Sequence, residues 1–180
     1  MHILITGASS GIGASLARQF GTDPTHRITL VARREEKLRE LASELSAETH
    51  VLPWDLSNPQ SVPELVSQAV EAFGPVDCLI NNAGMNRLEA AHAMGHQHAA
   101  TLFNLNVLSP MALVEAVYPS MREQGKGSIV NVSSVAAINT PTGLAHYSAT
   151  KAALARYSEA LHLEAKADGI HVLTVYPGPV

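Results

Sequence analysis

Short apolar runs alternate with longer segments of helical period along this chain. Six of these runs are too short for helices and are apolar at consecutive positions, as expected of strands that are covered on both faces. They lie at residues 2 to 6, 27 to 32, 50 to 54, 76 to 80, 128 to 132 and 171 to 176. Together the runs predict a six-stranded parallel sheet.

The segments between the runs carry apolar residues at spacings of three and four. In residues 35 to 45, Leu38 and Leu41 fall on one helical face and leave Glu, Lys and Arg for the other. Residues 61 to 74, 97 to 124 and 146 to 167 are further predicted helices, the last two long and rich in Ala and Leu. Strands alternating with helices, joined by right-handed crossovers, predict an α/β doubly wound parallel sheet with helices on both faces.

Size, charge and cysteine content narrow the possible partners. With 180 residues, of which 46% are hydrophobic, the chain is expected to form one domain over residues 1 to 180. A net charge of −4 argues against nucleic acid and anionic membranes as partners. We find no signal peptide pattern and no uncharged apolar stretch of the roughly 18 residues that a membrane span needs. Cys78 is the only cysteine, which excludes an intrachain disulfide, and a cytoplasmic location is predicted.

The first predicted strand is followed directly by "TGASSGIG", with Gly7, Gly11 and Gly13. Glycine allows positive φ and close backbone approach in a tight turn, and the helix that follows offers free N–H groups to a phosphate. The spacing differs from the G-x-G-x-x-G dinucleotide fingerprint, so a glycine-rich connection without a ligand is the alternative.

The second predicted strand ends in Arg33 and Arg34, where an acidic residue would accept a hydrogen bond from the ribose 2′-OH of NAD. A guanidinium suits the 2′-phosphate instead, because it binds phosphate in a bidentate manner. NADP is therefore favoured over NAD. The alternative is that both arginines are solvated residues at a helix start.

Near the end of the chain, "HYSATKAAL" places Lys151 four residues after Tyr147, on the same face of a helix. Such a pair is also common on ordinary solvated helices. Further motifs decide between the two interpretations: "DL" at 55 and 56, "NNAG" at 81 to 84, "FNLNV" at 103 to 107, "IVNVSS" at 129 to 134 and "PG" at 177 and 178.

With these motifs in this order, the whole chain resembles the short-chain dehydrogenase/reductase family. The resemblance implies a Rossmann fold and reversible hydride transfer between a nicotinamide cofactor and a carbonyl or alcohol carbon. It further implies a cofactor site made of Gly7, Ser9, Ser10, Gly11, Ile12, Gly13, Arg33, Arg34, Asp55, Leu56, Asn82, Ala83, Gly84, Tyr147, Lys151, Pro177 and Gly178. Ser10 stands where many NADP-preferring members carry Lys or Arg.

The resemblance also implies the catalytic residues. Tyr147 would donate or accept the proton, and the charge of Lys151 would favour the tyrosinate and hold the nicotinamide ribose. Ser134, thirteen residues before Tyr147, would orient the substrate oxygen, with Ser133 as the alternative. Asn106 would help to hold a water in a proton relay. It could instead be a buried amide bonded to neighbouring backbone, and Asn104 is its competitor.

Several further expectations follow from the resemblance. The two long helices would join subunits into a homodimer or homotetramer. The family normally continues beyond the "PG" turn into a lid and a seventh strand, which we expect to be missing here. No metal is expected at His92, His96 and His98, because the family needs none, and Trp54 is expected to pack. A small or medium uncharged carbonyl is mildly favoured as substrate. A non-catalytic dinucleotide-binding module and an epimerase or dehydratase of the same fold are the alternative functions.

Overall fold

A computed structural model describes residues 1 to 178 of the chain. Their strands form one parallel sheet in the order β3-β2-β1-β4-β5-β6. The predicted doubly wound sheet is thereby confirmed. The strands are β1 His2–Thr6, β2 Arg27–Ala32, β3 Glu48–Pro53, β4 Cys78–Asn81, β5 Gly127–Val132 and β6 Ile170–Val175.

The helices lie between these strands and follow the predicted segments closely. They are α1 Gly11–Phe20, α2 Glu35–Glu44, α3 Val62–Phe73, α4 His96–Phe103, α5 Ser109–Gln124 and α6 Ala145–Ala165. A single π-helical turn, Asn104–Leu108, joins α4 to α5 without interrupting the helical run. The long helix expected at 97 to 124 is therefore three consecutive pieces.

Alternate residues of the central strands pack into two separate cores, one on each face of the sheet. Leu4 of β1 belongs to the core formed with α3, α5 and α6, whereas Ile3 and Ile5 belong to the core formed with α1 and α2. All five residues of β1 are buried. Helices cover both faces of the sheet, and for this reason the strands appear in the sequence as continuous apolar runs.

The strand order reverses between β1 and β4, which are adjacent in the sheet. In open α/β sheets, ligands bind outside the carboxyl ends of the strands at such a switch point. The glycine turn, residues 7 to 13, follows β1, and Asn82 follows β4. The fold thus brings two of the predicted cofactor motifs to one crevice.

The helical run His96–Gln124 has the length and apolar composition of a membrane span, with a mean hydropathy of 1.4 in its best window. No such segment was predicted from the sequence. Of that window, 44% is buried inside the molecule, and Leu113, Val114 and Val117 pack into the core beside the sheet. Core helices of globular proteins have the same composition, so the run is weak evidence for a membrane.

Candidate active site

The glycine turn fits tightly against the end of β4. Gly7 has φ +67°, and a Cβ there would lie 2.8 Å from Nδ2 of Asn82. A Cβ on Gly13 would overlap the carbonyl oxygen of Gly7. Gly11 has φ +55° but faces open space, since a Cβ there would meet nothing within 4 Å. Two of the three glycines thus serve close packing, and the third leaves room beside the start of α1.

Asn82 and Thr6 hold this turn against the sheet. The Asn82 amide Nδ2 donates to the carbonyl oxygens of Thr6 at 2.8 Å and Gly7 at 3.3 Å. The Thr6 hydroxyl oxygen accepts from the backbone N–H groups of Asn82 at 3.0 Å and Ala83 at 2.9 Å. The "NNAG" motif therefore positions the turn, and Ala83 and Gly84 are left facing the crevice.

A cavity of about 470 Å³ opens beside the glycine turn. Its wall combines backbone of the turn, residues at the ends of β2 and β3, and part of the segment after β4. The lining residues are Gly7, Ser9, Ser10, Gly11, Ile12, Ala32, Arg33, Arg34, Trp54, Asp55, Leu56, Asn82, Ala83, Gly84 and Leu105. Most of the predicted cofactor residues are thus brought together in this nucleotide cavity.

The two arginines have different surroundings at its rim. Arg34 Nη2 donates to the Ser9 hydroxyl at 3.0 Å and to the Ser10 hydroxyl at 2.9 Å, so its guanidinium is tied to the glycine turn. Arg33 is exposed and also lines the cavity. Both charges thus lie at the rim of the cavity, and Ser10, which is uncharged, is hydrogen-bonded to the Arg34 guanidinium.

A second cavity, of about 880 Å³, shares Ser10, Ile12, Asn82 and Gly84 with the first, which makes the two adjacent. It is lined by Tyr147 and Lys151 from α6, by Ser134 after β5, and by Pro177 and Gly178 after β6. These predicted catalytic and cofactor residues therefore meet in a reaction cavity next to the nucleotide cavity.

Lys151 lies at the floor of the reaction cavity with only 4% of its surface exposed. Its ammonium donates to the Val132 carbonyl oxygen at 2.8 Å and lies 5.9 Å from the centre of the Tyr147 ring. A Cβ on Gly84 would be 3.3 Å from Nζ, so glycine leaves room for the lysine head. Burial lowers the Lys151 pKa to about 8, because the charged form loses hydration.

The structure separates the two candidate serines. Ser133 is buried, and its hydroxyl donates to the Lys151 carbonyl oxygen at 2.9 Å, which ties the end of β5 to α6. Ser134 is half-buried, lines the reaction cavity, and accepts from the Ala136 N–H at 3.1 Å. That bond leaves the Ser134 hydroxyl proton free to point into the cavity. The geometry favours Ser134 as the group that contacts substrate.

Asn106 is fully buried on the π-helical turn, next to Lys151 and Gly84. Its amide closes a ring with Met85, accepting from the Met85 N–H and donating to the Met85 carbonyl oxygen, both at 2.9 Å. It also donates to the Thr150 hydroxyl at 3.0 Å. The side chain therefore matches the alternative of a buried amide bonded to neighbouring backbone. Asn104 points elsewhere and donates to the Ser57 carbonyl oxygen at 3.2 Å.

Sequence reasoning missed some of the cavity walls. Trp54 packs as expected, with its indole N–H donating to the Ser61 hydroxyl at 2.9 Å, but it also lines the nucleotide cavity. Its position directly after a strand was the available signal. Met85 lines the reaction cavity from the segment after "NNAG", and Pro141 and Leu144 line it from the loop of residues 135 to 145, the two stretches that the sequence offered for the substrate pocket. Among residues 1 to 178, no three His, Cys, Asp or Glu side chains are grouped so that they could hold a metal ion.

Comparison with known proteins gives consistent matches along the whole chain. A family model described as short chain dehydrogenase matches residues 1 to 180. An NADP-dependent 3-hydroxy acid dehydrogenase of Schizosaccharomyces pombe is 38% identical over 99% of this chain and 71% of its own length. A metagenomic short-chain oxidoreductase solved in complex with NADP is 32% identical, with a TM-score of 0.94 over 100% of this chain and 83% of that one.

A bulky-bulky ketone specific alcohol dehydrogenase from Comamonas testosteroni is 35% identical, with a TM-score of 0.90 over 99% of this chain and 72% of that one. The chain spans 61 to 77% of the length of eight curated relatives that it matches. The match of the family model over residues 1 to 180, the order of the motifs and the doubly wound sheet agree. This chain belongs to the short-chain dehydrogenase family.

Proposed function

We propose that the chain is an NADP(H)-dependent oxidoreductase that transfers a hydride between the cofactor and a carbonyl or secondary alcohol substrate. The observation that carries this proposal is the buried Lys151 ammonium beside Tyr147, in a cavity adjacent to the glycine turn. The two NADP-linked relatives support the same cofactor. Residues 1 to 180 belong to the one domain that performs the reaction.

The described residues fit a dinucleotide phosphate. Open space over Gly11, beside the first turn of α1, leaves room for the diphosphate where free N–H groups are available. Arg33 and Arg34 supply the positive charge that a 2′-phosphate requires. Asp55 and Leu56 also line this cavity. When bound, NADPH supplies the hydride.

Reduction of a carbonyl adds a hydride to its carbon and a proton to its oxygen. Tyr147 donates that proton, and the Ser134 hydroxyl donates a hydrogen bond that orients the same oxygen. The resulting tyrosinate is stabilised by Lys151, which carries its charge at neutral pH with a pKa of about 8. In the oxidative direction the same groups act in reverse, and Tyr147 accepts the proton of the alcohol.

The walls of the reaction cavity favour an uncharged substrate. Lys151 is the one charged side chain among the described residues that line it, and Val135, Ala136, Pro141 and Leu144 contribute apolar surface. Among these described residues, no second cationic side chain could form an ion pair with a substrate carboxylate or phosphate. A ketone or aldehyde with apolar substituents fits this wall best.

The test is to incubate the protein with NADPH and a panel of uncharged ketones, and to follow both NADPH oxidation and alcohol formation. We expect equal amounts of NADP⁺ and alcohol to form. Cofactor binding without oxidation would favour a non-catalytic module, and substrate conversion without net NADPH consumption would favour an epimerase or dehydratase. Either result would contradict the proposed function.

We further infer a cytoplasmic enzyme that assembles as a homodimer or homotetramer through its long helices. The apolar run His96–Gln124 has less than half of its best window buried within one subunit, and Leu108 is exposed on it. Light scattering coupled to gel filtration measures the assembly directly. A mass equal to one chain would contradict it.

A further inference from the structure

Two loops that line the reaction cavity are joined to each other on its outer side. One is the strap, residues 85 to 89, which contributes Met85 and Asn86 to the wall. The other is the turn of residues 141 to 144, which contributes Pro141 and Leu144. Because both loops form the wall, the distance between them limits the width of the cavity.

The strap is attached at both of its ends. At its start, the backbone of Met85 is held by the Asn106 amide through two hydrogen bonds of 2.9 Å. At its other end, the Glu89 N–H donates to the Gly143 carbonyl oxygen at 2.8 Å. Arg87 and Glu89 form an ion pair of 2.7 Å across the same short segment. Both ends of the strap are thus tied by hydrogen bonds to other parts of the structure.

Leu88 makes the side-chain contact between the two loops. Its Cδ1 lies 2.8 Å from the position that a Cβ on Gly143 would occupy. Gly143 has φ +80°, a conformation that glycine adopts without strain and other residues rarely adopt. Leu88 is 77% exposed, and it packs this large apolar side chain against the backbone at Gly143.

We propose that this clasp, the Leu88 side chain on Gly143 together with the Glu89–Gly143 hydrogen bond, determines the size of substituent that the reaction cavity accepts. Leu88 and Gly143 are positioning residues, because they act through Met85, Asn86, Pro141 and Leu144. Loosening the clasp lets the strap and the turn move apart and admits a bulkier group on the substrate carbonyl. The inference rests on the proposed function, since it assigns the same cavity to the substrate.

The experiment measures binding of two probe ketones, acetophenone and benzophenone, to protein saturated with NADP⁺. Oxidised cofactor cannot reduce a ketone, so dissociation constants can be measured by calorimetry whether or not the enzyme turns over. The quantity compared is the ratio of the two dissociation constants in each variant. A general loss of folded protein lowers binding of both ketones together and leaves this ratio unchanged.

We expect Leu88→Ala to shift the ratio in favour of benzophenone by about 5-fold or more, in line with the discrimination that apolar pockets achieve per added group. Leu163→Ala is the matched control. Leu163 is 75% exposed on α6, about four helical turns from Tyr147, and its truncation should leave the ratio unchanged. An unchanged ratio in Leu88→Ala, or no binding of either ketone by it, overturns the proposal.

A double-variant comparison tests whether Leu88 and Gly143 act together. Gly143→Ala should shift the ratio in the same direction, because its Cβ displaces Leu88 and strains the turn. In the Gly143→Ala background, the additional effect of Leu88→Ala should then be less than about two-fold, since contacting residues are not additive. An equal effect in both backgrounds would refute the clasp. NADPH oxidation by the parent protein reports separately on the proposed function.

Discussion

Replacement of Lys151 by Met should make the unliganded protein more stable at neutral pH while abolishing its turnover. Met has a similar length and apolar character, so it can occupy the buried space that Lys151 fills. In the folded protein, burial lowers the Lys151 pKa from 10.5 to about 8. The folded state therefore binds the Lys151 proton less tightly than the unfolded state does.

At a pH where Lys151 is charged in both the folded and the unfolded state, this pKa difference lowers the stability of the parent by about 3 kcal/mol. Between pH 8 and pH 10.5, Lys151 is protonated to a larger extent in the unfolded state than in the folded state. The parent therefore gains stability as pH rises through that range. Against this, Lys151→Met leaves the Val132 carbonyl oxygen without its donor, which costs about 1 to 2 kcal/mol at every pH. The net gain at pH 7 is therefore about 1 to 2 kcal/mol.

The assay is urea unfolding of parent and variant at several values between pH 7 and pH 10.5, compared as a difference at each pH. The advantage of Lys151→Met should disappear as pH rises and then reverse by about 1 to 2 kcal/mol. Lys126→Met, at an exposed position before β5, is the control for the loss of one positive charge. A stability difference that stays constant over this range would refute the reasoning.

Other substitutions test individual contacts. Arg33→Asp should lower the preference for NADPH over NADH by about 10-fold or more in binding titrations. The substitution replaces the exposed guanidinium with a carboxylate, whose negative charge repels the 2′-phosphate. Ser134→Ala should lower kcat by about 100-fold, because it removes a hydroxyl from the reaction cavity. Ser133→Ala should mainly lower the free energy of unfolding, by about 1 kcal/mol. A larger loss of kcat in Ser133→Ala than in Ser134→Ala would reverse the assignment. Gly13→Ala should weaken NADPH binding and thermal stability together, because its Cβ would overlap backbone of the glycine turn.

The sequence predicted the central strands best. The bounds of β1 and β2 agree with the expected runs, because burial on both faces keeps charged residues out of their interior. The edge strand β3 begins at Glu48, two residues earlier than predicted. Glu48 is exposed, and Thr49 is only half-buried. An edge strand has a neighbouring strand on one side only, and the exposed start of β3 tolerates polar residues, so its first positions give no apolar signal.

β4 begins at Cys78, two residues later than predicted. Val76 is buried in the core beside α3 without belonging to the ladder, so its apolar character reports burial and not strand pairing. Such boundaries depend on which backbone groups pair between distant segments. Apolar character along the chain cannot report that pairing.

In the candidate site, spacing along the chain was sufficient to predict which residues lie together only where both residues belong to one helix. Tyr147 and Lys151 share a face of α6, as their separation predicted. The spacing to Tyr147 favoured Ser134 over Ser133, and the structure adds that the two hydroxyls have different surroundings, because adjacent residues at a strand end face opposite sides. The contact between Leu88 and Gly143 joins residues distant in sequence, so no local pattern could reveal it.

The central claim is that Tyr147 transfers the proton in the reaction cavity, and Tyr147→Phe tests it most directly. The phenyl ring keeps the packing of the tyrosine and removes only the hydroxyl. With an uncharged ketone that the parent reduces, kcat should fall by about 1,000-fold or more, while the dissociation constant for NADPH stays within about two-fold of the parent value. Turnover within about ten-fold of the parent, at unchanged NADPH affinity, would contradict the proposed role of Tyr147.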